Sequence, residues 1–178
     1  ANVPIVFGLM SFFFIQVDTQ SYSIFELVGL LLSAGILLAT NGINVAHELG
    51  HRRSLPERLM SKLLYMPCLY MHFFIEHNFG HHMNVATPKD GATARYNQTV
   101  YGFWFSSVTK QYRNAWRVQG ELLKRQKRSF LSSKNDMLWY HIFQPAYLGL
   151  VWYFFSIETM LCAAAAGAIA FLFLESIN

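Results

Sequence analysis

Five of the seven histidines in this sequence lie in two short motifs whose spacing suits metal binding. The motif HELGH contains His47 and His51, and the motif EHNFGHH contains His77, His81 and His82. Histidines four residues apart share one face of a helix, so each motif predicts a pair that can bind one metal. His82 is rotated by about 100° from His81 on an α-helix, and we expect it to point elsewhere and reach a second metal.

The first motif also matches the HExxH signature of zinc proteases, in which Glu48 would be the general base. A catalytic zinc has three protein ligands and one open position, so five clustered imidazoles exceed what a mononuclear site needs. Imidazole binds iron as well as zinc. The histidines therefore favour a dinuclear metal site, and a membrane zinc protease remains the alternative that predicts a single zinc.

The distribution of charge indicates a membrane protein. The chain is 53% apolar and only 13% charged. All fourteen Lys and Arg lie between Arg52 and Lys134, together with four acids, so that this segment has a formal balance of +10. Basic residues are retained on the cytoplasmic side of membrane proteins. We therefore predict an all-α, integral-membrane helical bundle of two transmembrane hairpins, with a cytoplasmic histidine-rich segment at 47–136 that binds metal.

Four apolar segments predict the spans. They lie at about 3–17, 24–46, 137–157 and 160–177, and 23 residues form a helix of about 35 Å, which is long enough to cross. The apolar stretch between the two histidine motifs would separate them if it also crossed. Because it contains Pro67 and ends in Glu76 and His77, we expect a re-entrant or interfacial element instead.

The two motifs together resemble those of the integral-membrane alkane hydroxylases, within the membrane fatty acid desaturase and hydroxylase superfamily. HELGH followed by a basic residue, then EHNFGHH running into ATPKD (86–90), is similar to the first two histidine boxes of that family. A third box begins with Asn, where this chain stops at Asn178, and the chain begins inside an apolar run without Met. We expect a single partial hydroxylase domain over 1–178 that is inactive without the later boxes.

The resemblance implies roles for particular residues. His47, His51, His77, His81 and His82 would be ligands of two non-haem iron ions, with the remaining ligands outside this chain. Glu48, Glu76, Asp90 and Glu175 are acids beside the motifs or near the end of the last span. Carboxylates commonly accept hydrogen bonds from ligand imidazoles, so we expect these four to support the metal site.

The resemblance also implies hydroxylation of the terminal carbon of medium-chain n-alkanes by O₂. Electrons would come from NAD(P)H through rubredoxin reductase and rubredoxin, an acidic protein that the +10 segment would attract. The same bases would contact anionic membrane lipid. The expected location is a bacterial inner membrane, with several spans and the metal site on the cytoplasmic side. Sister enzymes of the xylene monooxygenase or fatty acid desaturase type remain alternatives, and no nucleic-acid partner is predicted.

Overall fold

The computed structural model describes residues 2–87 and 89–177, and within these ranges the regular elements are helical. The α-helices are α1 (Asn2–Thr19), α2 (Ile24–Leu37), α3 (Asn44–Gly50), α4 (Leu55–Tyr65), α5 (Phe73–Glu76), α6 (His82–Asn84), α7 (Val100–Arg125), α8 (Asp136–Phe154) and α9 (Ile157–Ile177). Two π-helical segments, Leu38–Ile43 and His77–His81, lie directly before α3 and α6. The predicted all-α class is confirmed.

The helix that leads to the first histidine motif begins at a capping box. The Ser23 hydroxyl accepts a hydrogen bond from the Glu26 backbone N–H, and the Glu26 carboxylate accepts one from the Ser23 N–H at 2.8 Å. These reciprocal bonds satisfy backbone donors that the first turn leaves without partners. From Ile24 the helix runs unbroken to Gly50 through one π-helical segment, so a single element connects this cap to His47.

Within the described part of the chain, three helices are long and apolar enough to cross a membrane: Asn2–Thr19, Ile24–Gly50 and Ile157–Ile177. They contain the predicted spans at 3–17, 24–46 and 160–177. The helix Asp136–Phe154 lies where the remaining span was predicted, but its crossing stays a prediction, as do the two hairpins and the cytoplasmic position of 47–136.

The segment between the two histidine motifs contains no helix long enough to cross. Its α4 helix has 11 residues, or about 16 Å, against roughly 30 Å of hydrocarbon in a bilayer. A turn follows α4, and Leu69 within it has a φ of 53°, in the left-handed region. A break at this point agrees with the prediction made from Pro67 that the segment does not form a span.

The chain forms two compact units. The first contains the residues up to Met71 together with Phe143–Leu174, and the second contains His72–Ile142 together with the residues from Glu175. In the first unit α2 and α9 approach closely, since a Cβ added to Gly35 would lie 2.4 Å from Ile169 Cγ2. Small residues allow helices to pack closely in lipid, where the hydrophobic effect does not drive helix association.

Candidate metal centre

In the first unit, α3 and its C-cap residue His51 present the HELGH histidines as a pair. The Nε2 atoms of His47 and His51 lie 3.2 Å apart, and the two rings are nearly perpendicular. Glu48 Oε1 lies 3.3 Å from His47 Nδ1. A proton on Nδ1 that is donated to this carboxylate leaves the Nε2 lone pair of His47 available for a metal.

The nitrogen separation in this pair suits one metal ion. Two imidazole nitrogens bound at about 2.0–2.1 Å to the same tetrahedral or octahedral metal lie roughly 2.9–3.4 Å apart. The 3.2 Å separation of His47 and His51 falls in this range. It also suits an N–H···N hydrogen bond between neutral rings when no metal is bound.

In the second unit, His77 and His81 lie on a π-helical segment and His82 begins α6, and the pairing of these histidines differs from the sequence prediction. His77 Nε2 lies 3.0 Å from His82 Nε2. A π-helix bonds residues five apart, so it aligns positions that an α-helix would separate by an extra rotation. The prediction that His82 points away from His77 and His81 was wrong, because it assumed α-helical geometry. His81 lies nearby with its ring stacked on that of His77, at 5.3 Å between centroids.

Asp90 fixes the orientation of His81. Its Oδ1 lies 3.0 Å from His81 Nδ1 and accepts the Ala92 N–H at 3.1 Å, while Oδ2 accepts the Thr93 hydroxyl at 2.6 Å. A carboxylate partner places the imidazole proton on Nδ1 and leaves Nε2 free to bind metal. Burial by itself would raise the pKa of Asp90, but the hydrogen bonds from Thr93, His81 and Ala92 together lower it. The role of Asp90 in supporting a metal site stays a prediction.

Glu76 is fully buried where the π-helical segment begins. Its Oε1 accepts a hydrogen bond from Asn114 Nδ2 of α7 at 3.0 Å. Burial raises the pKa of Glu76 to about 7, even though the Asn114 bond acts in the opposite direction. The carboxylate precedes His77 in the chain, and its described hydrogen bond goes to α7.

Glu175 is also buried, close to the end of α9. Ser107 Oγ donates to its Oε2 at 2.5 Å, and Gln111 Nε2 lies 3.0 Å from Oε1 and 2.9 Å from Oε2. The carboxylate is therefore held by two side chains of one face of α7. The part of Glu175 in supporting a metal stays a prediction.

Sequence reasoning missed the contribution of α7. Ser107, Gln111 and Asn114 recur at helical spacing on the face of this helix that holds the two buried carboxylates. Buried Ser and Gln on an amphipathic helix are a detectable signal, but their partners are distant in sequence. Two predicted features, Pro88 of the ATPKD stretch and Asn178 as the start of a third box, lie outside the described residues.

Known proteins are similar to this sequence over most of its length. The fatty acid desaturase family profile matches residues 24–178. An alkane 1-monooxygenase of Pseudomonas putida is 42% identical over 139 residues, which are 77% of this chain and 33% of that protein. Alkane 1-monooxygenase 1 of Alcanivorax borkumensis is 39% identical over 154 residues, 85% of this chain and 36% of the relative. The xylene/toluene monooxygenase hydroxylase component of Pseudomonas putida is 30% identical over 155 residues, 85% of this chain and 42% of that protein.

The helices and histidine motifs define a membrane protein with metal-binding potential. The chain belongs to the fatty acid desaturase family. The resemblance to alkane hydroxylases that the histidine motifs predicted is confirmed by the relatives. The chain spans about a third of the length of these two alkane 1-monooxygenases.

Proposed function

We propose that this chain is part of a membrane non-haem di-iron monooxygenase that hydroxylates the terminal carbon of medium-chain n-alkanes. The observation that carries the proposal is the presence of two histidine motifs with convergent imidazole nitrogens in a chain similar to alkane 1-monooxygenases. His47, His51, His77, His81 and His82 would hold the irons together with ligands from the rest of the protein. Bound iron would supply the activation of O₂, which side chains cannot provide.

The residues of this chain would bind and orient that metal site. Each close pair offers two Nε2 atoms at a separation that one ion can bridge. Glu48 Oε1 and Asp90 Oδ1 lie 3.3 Å and 3.0 Å from the Nδ1 atoms of His47 and His81, and a proton donated from Nδ1 to either carboxylate would leave the lone pair on Nε2. Neutral imidazole donors suit iron, whereas a site for Mg²⁺ or Ca²⁺ would be built from oxygen ligands.

An n-alkane has no polar group, so its binding would depend on burial of its chain. Each buried CH₂ contributes about 0.8 kcal/mol, and the six CH₂ groups of octane therefore about 5 kcal/mol in total. An alkane partitions into the hydrocarbon of the bilayer, where the three apolar helices would lie. His47 lies in the last turn of one of these helices, Ile24–Gly50, and His51 follows it. The end of a membrane helix is a suitable place to receive a substrate from lipid.

The reaction requires an external source of electrons. Alkane, O₂, two electrons and two protons give an alcohol and water. We propose that rubredoxin delivers the electrons from NAD(P)H through its reductase. Exposed bases that would attract an acidic partner follow one another at the end of α7 and beyond it: Lys124, Arg125, Lys127 and Arg128. The same bases suit anionic lipid on the cytoplasmic side of a bacterial inner membrane.

The test uses the complete protein that contains this chain, in its wild-type form and as the variant His77→Ala. Two irons per chain and conversion of octane to 1-octanol, both lost in the variant, are the expected results. His141→Ala is the matched control, because His141 lies outside both motifs and its ring contacts Tyr112 and the Met137 carbonyl. One zinc per chain, retained in His77→Ala, would contradict the proposal and favour a zinc protease.

A second candidate is a hydroxylase of the xylene monooxygenase type. The similarity to the xylene/toluene monooxygenase component extends over 85% of this chain. Octane and p-xylene offered in competition distinguish the two, because the proposal predicts 1-octanol as the main product. A desaturase would instead form a double bond and leave no oxygen from O₂ in the product.

A further inference from the structure

One side chain of α7 contacts the second histidine motif. Asn114 Nδ2 donates to Glu76 Oε1 at 3.0 Å, and the amide also lies against Gly80. A Cβ added to Gly80 would be 2.5 Å from Asn114 Nδ2 and 3.2 Å from Glu76 Oε1. Asn114 thus contacts the motif at Glu76, which directly precedes His77, and at Gly80, which directly precedes His81 and His82.

The orientation of the Asn114 amide is determined by its second partner. Arg117 Nη2 and Nε lie 2.6 Å and 3.1 Å from Asn114 Oδ1. Because a guanidinium only donates hydrogen bonds, the amide oxygen must face Arg117. The amide nitrogen then faces Glu76 and donates a hydrogen bond to its carboxylate.

The segment that Asn114 contacts has a helical form that needs support from outside. π-Helical segments are rare and short, and they occur often at functional sites. In this one the π geometry brings His77 Nε2 to His82 Nε2, as an α-helix would not. A contact from α7 at Glu76 and Gly80 can stabilise the π form against relaxation to an α-helix.

We propose that Asn114 is a positioning residue for the metal site, since its amide fixes Glu76 and Gly80 and thereby holds His77 and His82 in convergent orientation. This inference depends on metal binding by the second motif, which is part of the proposed function. Loss of residues that orient metal ligands typically reduces metal affinity by about 10–100-fold. Asn114 acts through the backbone of the motif and not on a ligand ring, so we expect a loss of about tenfold.

The first experiment compares Asn114→Leu with Gln119→Leu in the complete protein. Both remove one amide of α7, and Gln119 donates instead to the Lys134 carbonyl at 3.1 Å. Cobalt(II) affinity and the visible absorption of bound cobalt report the metal site without requiring turnover. We expect lower affinity and a changed spectrum in Asn114→Leu, and wild-type values in Gln119→Leu, at similar thermal stability.

A double-mutant cycle tests the contact between Asn114 and Gly80 directly. Gly80→Ala should weaken cobalt binding because the added Cβ displaces the amide, whereas Gly120→Ala, where the Cβ would meet nothing within 4 Å, should not. In an Asn114→Ala background the substitution at Gly80 should cause little further loss. Non-additivity of this kind is the measure of a direct interaction.

Each outcome decides the inference. Wild-type cobalt affinity and spectrum in Asn114→Leu, or additive effects of Asn114→Ala and Gly80→Ala, would overturn it. If the wild-type protein binds cobalt and the cycle is non-additive, but the protein neither holds iron nor hydroxylates octane, the positioning role stands and the proposed function fails. A wild-type protein that binds neither metal would overturn both.

Discussion

The hydrogen bonds of Asp90 predict a graded loss of metal affinity when this residue is changed. Asp90 has a fully buried side chain and accepts hydrogen bonds from His81, Ala92 and Thr93. In Asp90→Asn the oxygen at the Oδ1 position can still accept from His81 and Ala92, while the new NH₂ group can donate to the Thr93 hydroxyl. The charge is lost and the hydrogen bond with Thr93 reverses its direction, but His81 and Ala92 keep their acceptor. In Asp90→Ala the ring N–H of His81 and the N–H of Ala92 lose their acceptor.

The expected magnitudes follow from these contacts. Removing an acceptor that orients a metal-binding histidine reduces metal affinity by about 10–100-fold. We expect Asp90→Ala to lie in the upper part of this range and Asp90→Asn near tenfold. Each buried donor left without an acceptor also costs about 1–3 kcal/mol of stability, so Asp90→Ala should melt at a lower temperature than Asp90→Asn.

The assay is titration of the complete, metal-free protein with iron(II) or cobalt(II), together with thermal unfolding in detergent. Asp18→Asn is a control with the same chemical change, because Asp18 Oδ1 accepts from the Thr159 hydroxyl at 3.3 Å and lies in neither motif. We expect the metal affinity to fall from the wild type to Asp90→Asn and again to Asp90→Ala. Wild-type affinity in Asp90→Ala would refute the conclusion that Asp90 orients a ligand, and equal losses in both variants would refute the argument from retained acceptors.

Two further predictions concern the packing of the first unit. Gly35→Ala should lower the melting temperature, because its Cβ would lie 2.4 Å from Ile169 Cγ2 and overpacking costs about 1–3 kcal/mol. Gly29→Ala on the same helix should not lower the melting temperature, because there the Cβ would meet nothing within 4 Å. Equal melting temperatures in the two variants would contradict the close approach. Ser61→Ala should cost about 0.5–1.5 kcal/mol in chemical denaturation, since the buried Ser61 hydroxyl donates to the Ala46 carbonyl at 2.6 Å; no loss would show that this bond contributes nothing.

The sequence was sufficient to predict the helices and the pairing of the two histidines in the first motif. Helical spans follow from runs of apolar residues, because the backbone has to satisfy its own hydrogen bonds in lipid. The spacing of His47 and His51 predicts a shared face on any regular α-helix, and the structure places their Nε2 atoms 3.2 Å apart. The combination of the two motifs was also sufficient to identify the family that the relatives confirm.

The partners of the buried acids could not be predicted from the sequence. Glu76 and Asn114 are 38 residues apart, and Ser107 and Glu175 are 68 apart. No local pattern links such positions, because the pairing depends on which face of α7 turns toward the rest of its unit. The requirement for glycine at position 80 becomes clear only once the Asn114 amide is seen beside it.

The arrangement within the second histidine motif was likewise decided by tertiary structure. The sequence determined that His77, His81 and His82 lie together on one short helical stretch. It did not determine that the stretch is π-helical, and the prediction for His82 was therefore wrong. The π form is rare, and the spacing of the histidines does not distinguish it from an α-helix. Residue spacing thus determined which side chains could bind a metal, while the π-helical backbone, visible only in the structure, brings the Nε2 atoms of His77 and His82 together.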